Sequence, residues 1–183
     1  MDVRLLRPEE AAAVAATLRH RVVVADRLER QRRDECLYLV AWEDGTPVGQ
    51  ALLHRRRPSA LAVAGVVDSL PYIEDVFVLP EWRNRGVGTA LLEAAESAAA
   101  TRGDRGVSLA VSTGNAAARR LYTRLGYVDA GVPVHGHATT EPGFDSGDQS
   151  GNETVVDLVK RLDGVTAAAW PAGRGGGRSR DAR

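Results

Sequence analysis

Apolar runs separated by turn residues predict the strands of the chain. Leu37–Trp42 and Val48–Leu53 are apolar runs, and the segment between them, Glu43–Thr46, contains the dipeptide Asp-Gly. An Asp-Gly turn between two such runs is a strong β-hairpin signal, so a hairpin is predicted here. Tyr72–Val78 is a further predicted strand, ended by Pro80. Later apolar segments predict three more strands, at 107–111, 127–134 and 154–162.

Helical signals lie at the start of the chain and between the later strands. Pro8 followed by Glu9 and Glu10 is a favourable first turn, because proline fixes φ and carboxylates suit the positive end of a helix. The alanine-rich stretch through Leu18 continues this helix. A helix from about Val87 to Ala100 is predicted because its apolar residues recur at helical spacing. Two further helical segments are predicted at 21–33 and 116–125.

Size and composition indicate one globular domain. The chain has 183 residues, of which 44% are hydrophobic and 26% are charged, as in ordinary globular proteins. We predict a single domain over residues 1–162. Residues 163–183 are rich in glycine and arginine and lack apolar periodicity, so we expect a disordered C-terminal tail.

The distribution of charged and ligating residues argues against several protein classes. Lys+Arg and Asp+Glu number 24 each, which argues against binding to nucleic acid or to a membrane. Cys36 is the only cysteine, which excludes an internal disulfide and suits the cytoplasm. Arg55–Pro58 is predicted to be a solvated loop, with an anion site as the alternative. His135 and His137 with Glu141 could be imagined as metal ligands, but loop histidines are common, so no metal is predicted.

A glycine-bearing loop joins the strand that ends at residue 78 to the helix that follows it. The first turn of a helix has N–H groups without intrahelical partners, and the helix dipole adds positive charge there. Gly86 and Gly88 carry no Cβ, so a diphosphate can approach these donors, and Arg83 and Arg85 add charge. A Walker loop is excluded because the segment has no lysine, and Leu91 stands where the Rossmann fingerprint needs its third glycine. The pattern predicts a phosphate cradle of another kind.

Two motifs carry a resemblance to a known family. Ile73–Leu92 contains Arg-x-x-Gly-x-Gly, and Asn115–Tyr127 contains Asn, Tyr and Leu-Gly-Tyr in that order. With these motifs the chain resembles the GCN5-related N-acetyltransferase (GNAT) superfamily. The resemblance implies an α/β fold with a mixed, mostly antiparallel twisted sheet of six to seven strands flanked by helices. It also implies an acyltransferase enzyme that uses acetyl-CoA as its acyl donor.

The resemblance assigns roles to individual residues. Val76 and Val78 would offer backbone hydrogen bonds to the pantetheine arm, and the N–H of Val76 or Phe77 would stabilise the carbonyl oxygen. Asn115 would contact the CoA arm, although it could equally be a helix N-cap. Tyr122 would direct its hydroxyl at the thioester sulfur, with a core tyrosine as the alternative. The pyrophosphate would be held by backbone N–H groups of Arg83, Asn84, Arg85, Gly86, Val87, Gly88 and Thr89. Charge and position on the helix, rather than the resemblance, make Arg119, Arg120 or Arg124 a candidate contact to the ribose phosphate of CoA.

Acyl transfer to an amine requires a base. An alkylamine with a pKa of ~10.4 is cationic at neutral pH, and freeing its lone pair costs about 4–5 kcal/mol. Glu74 is the candidate base, acting directly or through water, because it lies in an apolar strand and the resemblance implies a carboxylate there. The alternative is an exposed strand residue without a catalytic role. Strand alternation predicts that Asp75 faces the opposite side of the sheet.

The acceptor is predicted from charge. The predicted loop at 135–153 contains no Lys or Arg, and its field favours a cationic ligand such as a polyamine, an aminoglycoside or a lysine side chain. The alternative is a solvated loop that its acidic residues keep soluble. We therefore predict an N-acetyltransferase for a small amine, which attacks the thioester directly in a ternary complex. The alternatives are a protein lysine or N-terminal acetyltransferase and a non-catalytic acyl-CoA-binding module. The sequence leaves open whether the chain forms a homodimer. The acidic residues of the segment are Glu141, Asp145, Asp148 and Glu153.

Overall fold

The fold is known from a computed structural model that describes residues 1–18, 24–58, 62, 66–137 and 153–162. The strands in this part of the chain are β1 (Asp2–Leu5), β2 (Cys36–Glu43), β3 (Thr46–His54), β4 (Tyr72–Val78), β5 (Gly106–Ser112), β6 (Val128–Asp129), β7 (His135–His137) and β8 (Glu153–Arg161). The helices are α1 (Ala11–Thr17), α2 (Val24–Arg32), α3 (Val87–Thr101) and α4 (Ala116–Arg124). The predicted tail at 163–183 and most of the predicted acidic loop, at 138–152, lie outside the described residues.

The described strands form one mixed sheet in the order β1-β2-β3-β4-β5-β8-β6, with β7 paired to β8. The pairing of β4 with β5 is parallel, and the other pairings are antiparallel, so the predicted class is confirmed. The sheet has eight strands rather than six to seven. One extra strand is β1, which contains charged residues and precedes the strong helix signal. The other arises because the predicted strand 127–134 is only the two-residue β6, while β7 forms where a loop was predicted.

Helices cover both faces of the sheet and define two apolar cores. On one face, Leu91 and Leu92 of α3 and Tyr122 of α4 pack against β-strand residues that include Ile73. On the other face, α1 and α2 pack against residues that include Leu52. The predicted helix at 87–100 is observed as α3 at Val87–Thr101. The sheet thus separates an α3/α4 face from an α1/α2 face.

A β-bulge in β4 changes the direction of its side chains. Leu52 of β3 opposes Glu74, and Gln50 opposes Phe77, so one intervening residue of β3 faces two residues of β4. Asp75 lies in this bulge and has a φ of 50°. This is a left-handed conformation that short polar residues tolerate better than others. The prediction that Asp75 faces away from Glu74 is therefore wrong. Its carboxylate accepts from Gln50 and pairs with Arg27 of α2, on the same face as Glu74.

The bulge lies beside an opening in the sheet. Among the described residues, β4 pairs with β5 only at Tyr72–Ser108 and Ile73–Leu109. From Glu74 to Val78, β4 does not pair with β5. The sheet is therefore open between β4 and β5 at the level of the bulge.

Arg57 is buried, contrary to the prediction of a solvated loop. Its Nη1 lies 2.5 Å from Oδ1 of Asp157 in β8, and both side chains are 0% exposed. The guanidinium carbon also lies 4.6 Å from the centre of the Tyr72 ring. Since β4 and β5 lie between β3 and β8 in the sheet, this ion pair joins the chain after β3 to β8 across both strands beside the opening.

Arg57→Met is expected to lower the free energy of unfolding by about 3 kcal/mol, because it leaves the buried Asp157 carboxylate without its arginine. Urea denaturation followed by circular dichroism measures the change. Arg56→Met is the matched control, since Arg56 is the exposed neighbour in sequence, and its unfolding midpoint should equal that of the parent. Identical midpoints for the two variants would contradict a stabilising role for the buried pair.

Candidate active site

A groove of about 620 Å³ runs between β4, the β4–α3 loop and α4. This volume lies within the range of small-molecule sites. The structure brings most of the predicted cofactor residues together along its wall. These are Val76, Phe77, Val78, Arg83, Asn84, Gly86, Val87, Gly88, Thr89, Asn115 and Tyr122.

Some residues are placed differently from the prediction. Arg85 does not line the groove but is exposed, with its guanidinium carbon 5.0 Å from the centre of the Trp82 ring. Arg120 and Arg124 line the groove and Arg119 does not. The groove also has lining residues that were not predicted, namely Trp82, Ala117, Ala118 and Leu121. Two sequence signals could have identified these residues. One is the aromatic residue next to Arg83, and the other is the helical spacing of the α4 residues.

The backbone of the β4–α3 loop directs the first turn of α3 into the groove. Asn84 and Gly86 have φ values of 58° and 84°, so the chain turns sharply before α3 begins. The Gly86 carbonyl accepts the first helical bond, from Ala90 N–H at 3.0 Å. The N–H groups of Val87 and Gly88 therefore lie in the first turn, where a helix offers no internal acceptor. The side chain of Arg83 ties the loop to the end of β4, because its Nε donates to the Val78 carbonyl at 3.2 Å.

Gly88 has a packing role that was not predicted. A Cβ built on Gly88 would lie 3.2 Å from Cδ2 of Leu121 and 3.8 Å from Cγ2 of Val78. The missing side chain thus allows α4 to approach α3 closely along the groove. Asn115 caps α4, because its Oδ1 accepts from Ala118 N–H at 3.0 Å. Since Asn115 also lines the groove, the capping role and the predicted contact with the CoA arm are compatible.

Tyr122 lines the groove from α4 and is only 7% exposed. Burial raises the pKa of Tyr122 to about 12, because a phenolate would lose its hydration. Its ring centre lies 5.8 Å from that of Tyr127, which fixes it against the core. The hydroxyl is therefore protonated at neutral pH and suited to donate a hydrogen bond.

Glu74 lies outside the groove, on the α1/α2 face. Its Oε2 lies 2.7 Å from Nε2 of His54, and its side chain is 20% exposed. The neighbouring Asp75 carboxylate pairs with Arg27 at 2.7 Å, with side-chain exposures of 6% and 2%. The charge of Asp75 is thus balanced by a buried arginine, whereas Glu74 keeps partial contact with solvent. Of the two carboxylates at the bulge, Glu74 is the more exposed.

The described residues contain no group of three or more His, Cys, Asp or Glu side chains arranged to hold a metal ion. Glu141, considered above with His135 and His137 as a metal ligand, lies outside the described residues. Nor does any described helix have the length and apolar character needed to cross a membrane.

Comparison with known proteins gives the family. The acetyltransferase (GNAT) family model matches residues 6–127, which is more than half of the chain. An uncharacterised N-acetyltransferase from Methanocaldococcus jannaschii is 36% identical over 101 residues, 55% of this chain and 43% of that protein. The chain thus spans less than half of that relative's length. The chain belongs to the GNAT acetyltransferase family, and the predicted superfamily and enzyme class are confirmed.

Solved structures agree with this assignment. The ribosomal-protein-alanine N-acetyltransferase of Brucella melitensis is similar with a TM-score of 0.66 and 20% identity, over 88% of this chain and 99% of that one. The aminoglycoside N-acetyltransferase AAC(6')-Iy in complex with CoA has a TM-score of 0.59 and 28% identity, over 70% of this chain and 92% of that one. The first similarity supports the fold, and together with the family the CoA complex supports acetyl-CoA as the substrate.

Proposed function

We propose that the chain is an N-acetyltransferase that moves the acetyl group of acetyl-CoA to the amine of a small cationic molecule, by direct attack in a ternary complex. The observation that carries this proposal is the placement of the groove and Glu74 on opposite faces of the sheet, beside the opening between β4 and β5. In the proposal, residues 1–162 form the catalytic unit, which works in the cytoplasm and uses no metal.

Donor binding follows from the groove. The first-turn N–H groups of α3 would donate hydrogen bonds to the pyrophosphate, whose negative charge also favours the positive end of a helix dipole. The pantetheine arm would lie along Val76–Val78, where β4 has left β5. The thioester would then reach the opening, with the N–H of Val76 or Phe77 donating to the carbonyl oxygen as it gains charge. Arg120 and Arg124 would meet the ribose phosphate.

The acceptor would approach from the α1/α2 face. Glu74 would remove the ammonium proton, directly or through one water, and the freed amine would attack the thioester carbon. The tetrahedral intermediate would collapse with loss of the CoA thiolate, and the extra proton on the attacking nitrogen would pass to that thiolate, which gives the amide and the CoA thiol. Support for Glu74 comes from its partial exposure to solvent and from its hydrogen bond with the buried His54.

Tyr122→Phe is expected to reduce kcat about tenfold with an unchanged Kd for CoA, because the thiolate leaves without a hydrogen bond from the phenol. Since burial raises the pKa of Tyr122 to about 12, the phenol stays protonated below that value. Its deprotonation therefore adds no alkaline limb to the parent kcat profile below about pH 11. Steady-state kinetics and calorimetry measure both quantities. An unchanged kcat in the variant would reduce Tyr122 to a core residue.

The small cationic acceptor is supported by charge and by one neighbour. An anionic Glu74 on the acceptor face favours a cation. The aminoglycoside acetyltransferase shares 28% of its aligned residues with this chain, whereas the ribosomal-protein enzyme shares 20%, which supports the fold alone.

A thiol-release assay with acetyl-CoA tests the proposal against polyamines, aminoglycosides, amino acids and peptides. We expect turnover with a polyamine or an aminoglycoside. Turnover with peptides alone would instead make the chain a protein acetyltransferase. Binding of acetyl-CoA by calorimetry without turnover on any amine would indicate an acyl-CoA-binding module.

A further inference from the structure

His54 is a buried histidine that connects α2 to the bulge of β4. Its Nδ1 lies 3.1 Å from Nη2 of Arg30, and its Nε2 lies 2.7 Å from Oε2 of Glu74. The imidazole is 2% exposed, and its ring stacks on Tyr72 with centres 6.3 Å apart. The three side chains Arg30, His54 and Glu74 come from three different elements and form one hydrogen-bonded row.

The chemistry of the two neighbours determines the tautomer of His54. An arginine guanidinium has donors only, so Nδ1 must accept from Arg30. The proton of a neutral imidazole is then on Nε2, which donates to the Glu74 carboxylate. A second proton on Nδ1 would place an N–H against the Arg30 guanidinium. The row therefore favours the Nε2–H tautomer of His54, which donates to Glu74.

The other groups around His54 leave these donor and acceptor roles unchanged. Arg30 also has an acidic neighbour in Glu35, whose Oε2 lies 3.8 Å from Nε of Arg30. Cys36 lies opposite His54 in β2, and burial raises the pKa of its thiol. Tyr72 presents its ring. Among the described charged groups, Glu74 is the one within hydrogen-bond distance of Nε2.

We propose that His54 is the positioning residue for Glu74. Its Nε2–H holds one carboxylate oxygen and keeps Glu74 anionic and oriented. This inference rests on the proposed function of Glu74 as the base. Arg30 contributes by fixing the tautomer of His54 and not by contact with the substrate.

Nuclear magnetic resonance on the full chain tests the proposal without an acceptor. The ¹⁵N signals of His54, assigned with H54Q, should show a protonated Nε2 and an unprotonated Nδ1 at pH 7. The ¹³C signal of the Glu74 carboxyl, assigned with E74Q, should report its titration. In H54L the titration midpoint should move to higher pH by about one unit, the size expected for one lost hydrogen bond to a charged group.

H54Q is the conservative variant, because its side-chain amide can still donate to Glu74, and its midpoint should stay near that of the parent. A protonated Nδ1 in the parent, or an unchanged midpoint in H54L, would overturn the proposal. The tautomer is measured on the parent chain, so this part of the test does not depend on the folding of a variant. If E74Q keeps full turnover while H54L shifts the midpoint, the hydrogen-bonded row stands and the proposed base fails.

Discussion

Gly86→Val is expected to weaken the binding of acetyl-CoA at least about 100-fold, equivalent to about 2.7 kcal/mol. Gly86 immediately precedes α3 with a φ of 84°, a conformation that a β-branched residue adopts only under strain. To relieve this strain the loop must rotate, which turns the first N–H groups of α3 away from the groove. Isothermal calorimetry with acetyl-CoA measures the loss.

Gly103→Val is the matched control for this variant. Gly103 follows the other end of α3, also has a φ of 84°, and has no atom within 4 Å of a built Cβ. It carries the same backbone strain but does not line the groove. We therefore expect Gly103→Val to lose stability and to keep its affinity for acetyl-CoA. Normal binding by Gly86→Val, or an equal loss in both variants, would show that the α3 terminus is not the pyrophosphate site.

Gly88→Val is predicted to abolish binding as well, but for a mixed reason. A side chain at this position contacts Leu121 before it can fill the space for a phosphate, since a Cβ there lies 3.2 Å from that residue. The variant would therefore displace α4 together with Tyr122. Gly86 is the cleaner test of the cradle because no atom lies within 4 Å of its built Cβ.

The elements that the sequence predicts best are those whose signals are local. The hairpin of β2 and β3 has its Asp-Gly turn, and α3 has an apolar face and a glycine at each end. The groove could be predicted for the same reason, since its cradle is one continuous segment from β4 into α3. Asn115 and Tyr122 were found through the resemblance, and the structure places both on the same groove wall.

The features that the sequence did not predict depend on pairings between distant segments. The direction of Asp75 follows from a bulge, which exists only in the register of β4 against β3. Arg57 reaches Asp157 over a separation of 100 residues, so no local pattern marks either as buried. His54 and Glu74 are in contact because β3 and β4 are neighbours in the sheet. No local pattern distinguishes His54 from the other three histidines of the chain.

Glu74→Gln is expected to lower kcat at pH 7 by about 10²–10³-fold, the range for loss of a general base. The amide has the same shape as the carboxylate and can still accept from His54, so the bulge and the groove should be undisturbed. The Kd for acetyl-CoA should therefore equal that of the parent. Glu93→Gln, which changes an exposed carboxylate on α3, is the control and should keep the parent kcat.

The pH profile of Glu74→Gln distinguishes a lost base from a damaged site. Without a base, the variant depends on amine that solution has already deprotonated. Its rate should then rise about tenfold per pH unit toward the acceptor pKa of ~10.4, while the parent rate levels off earlier. A damaged site would lower the rate by the same factor at every pH. A Glu74→Gln profile parallel to that of the parent would therefore exclude Glu74 as the group that takes the ammonium proton.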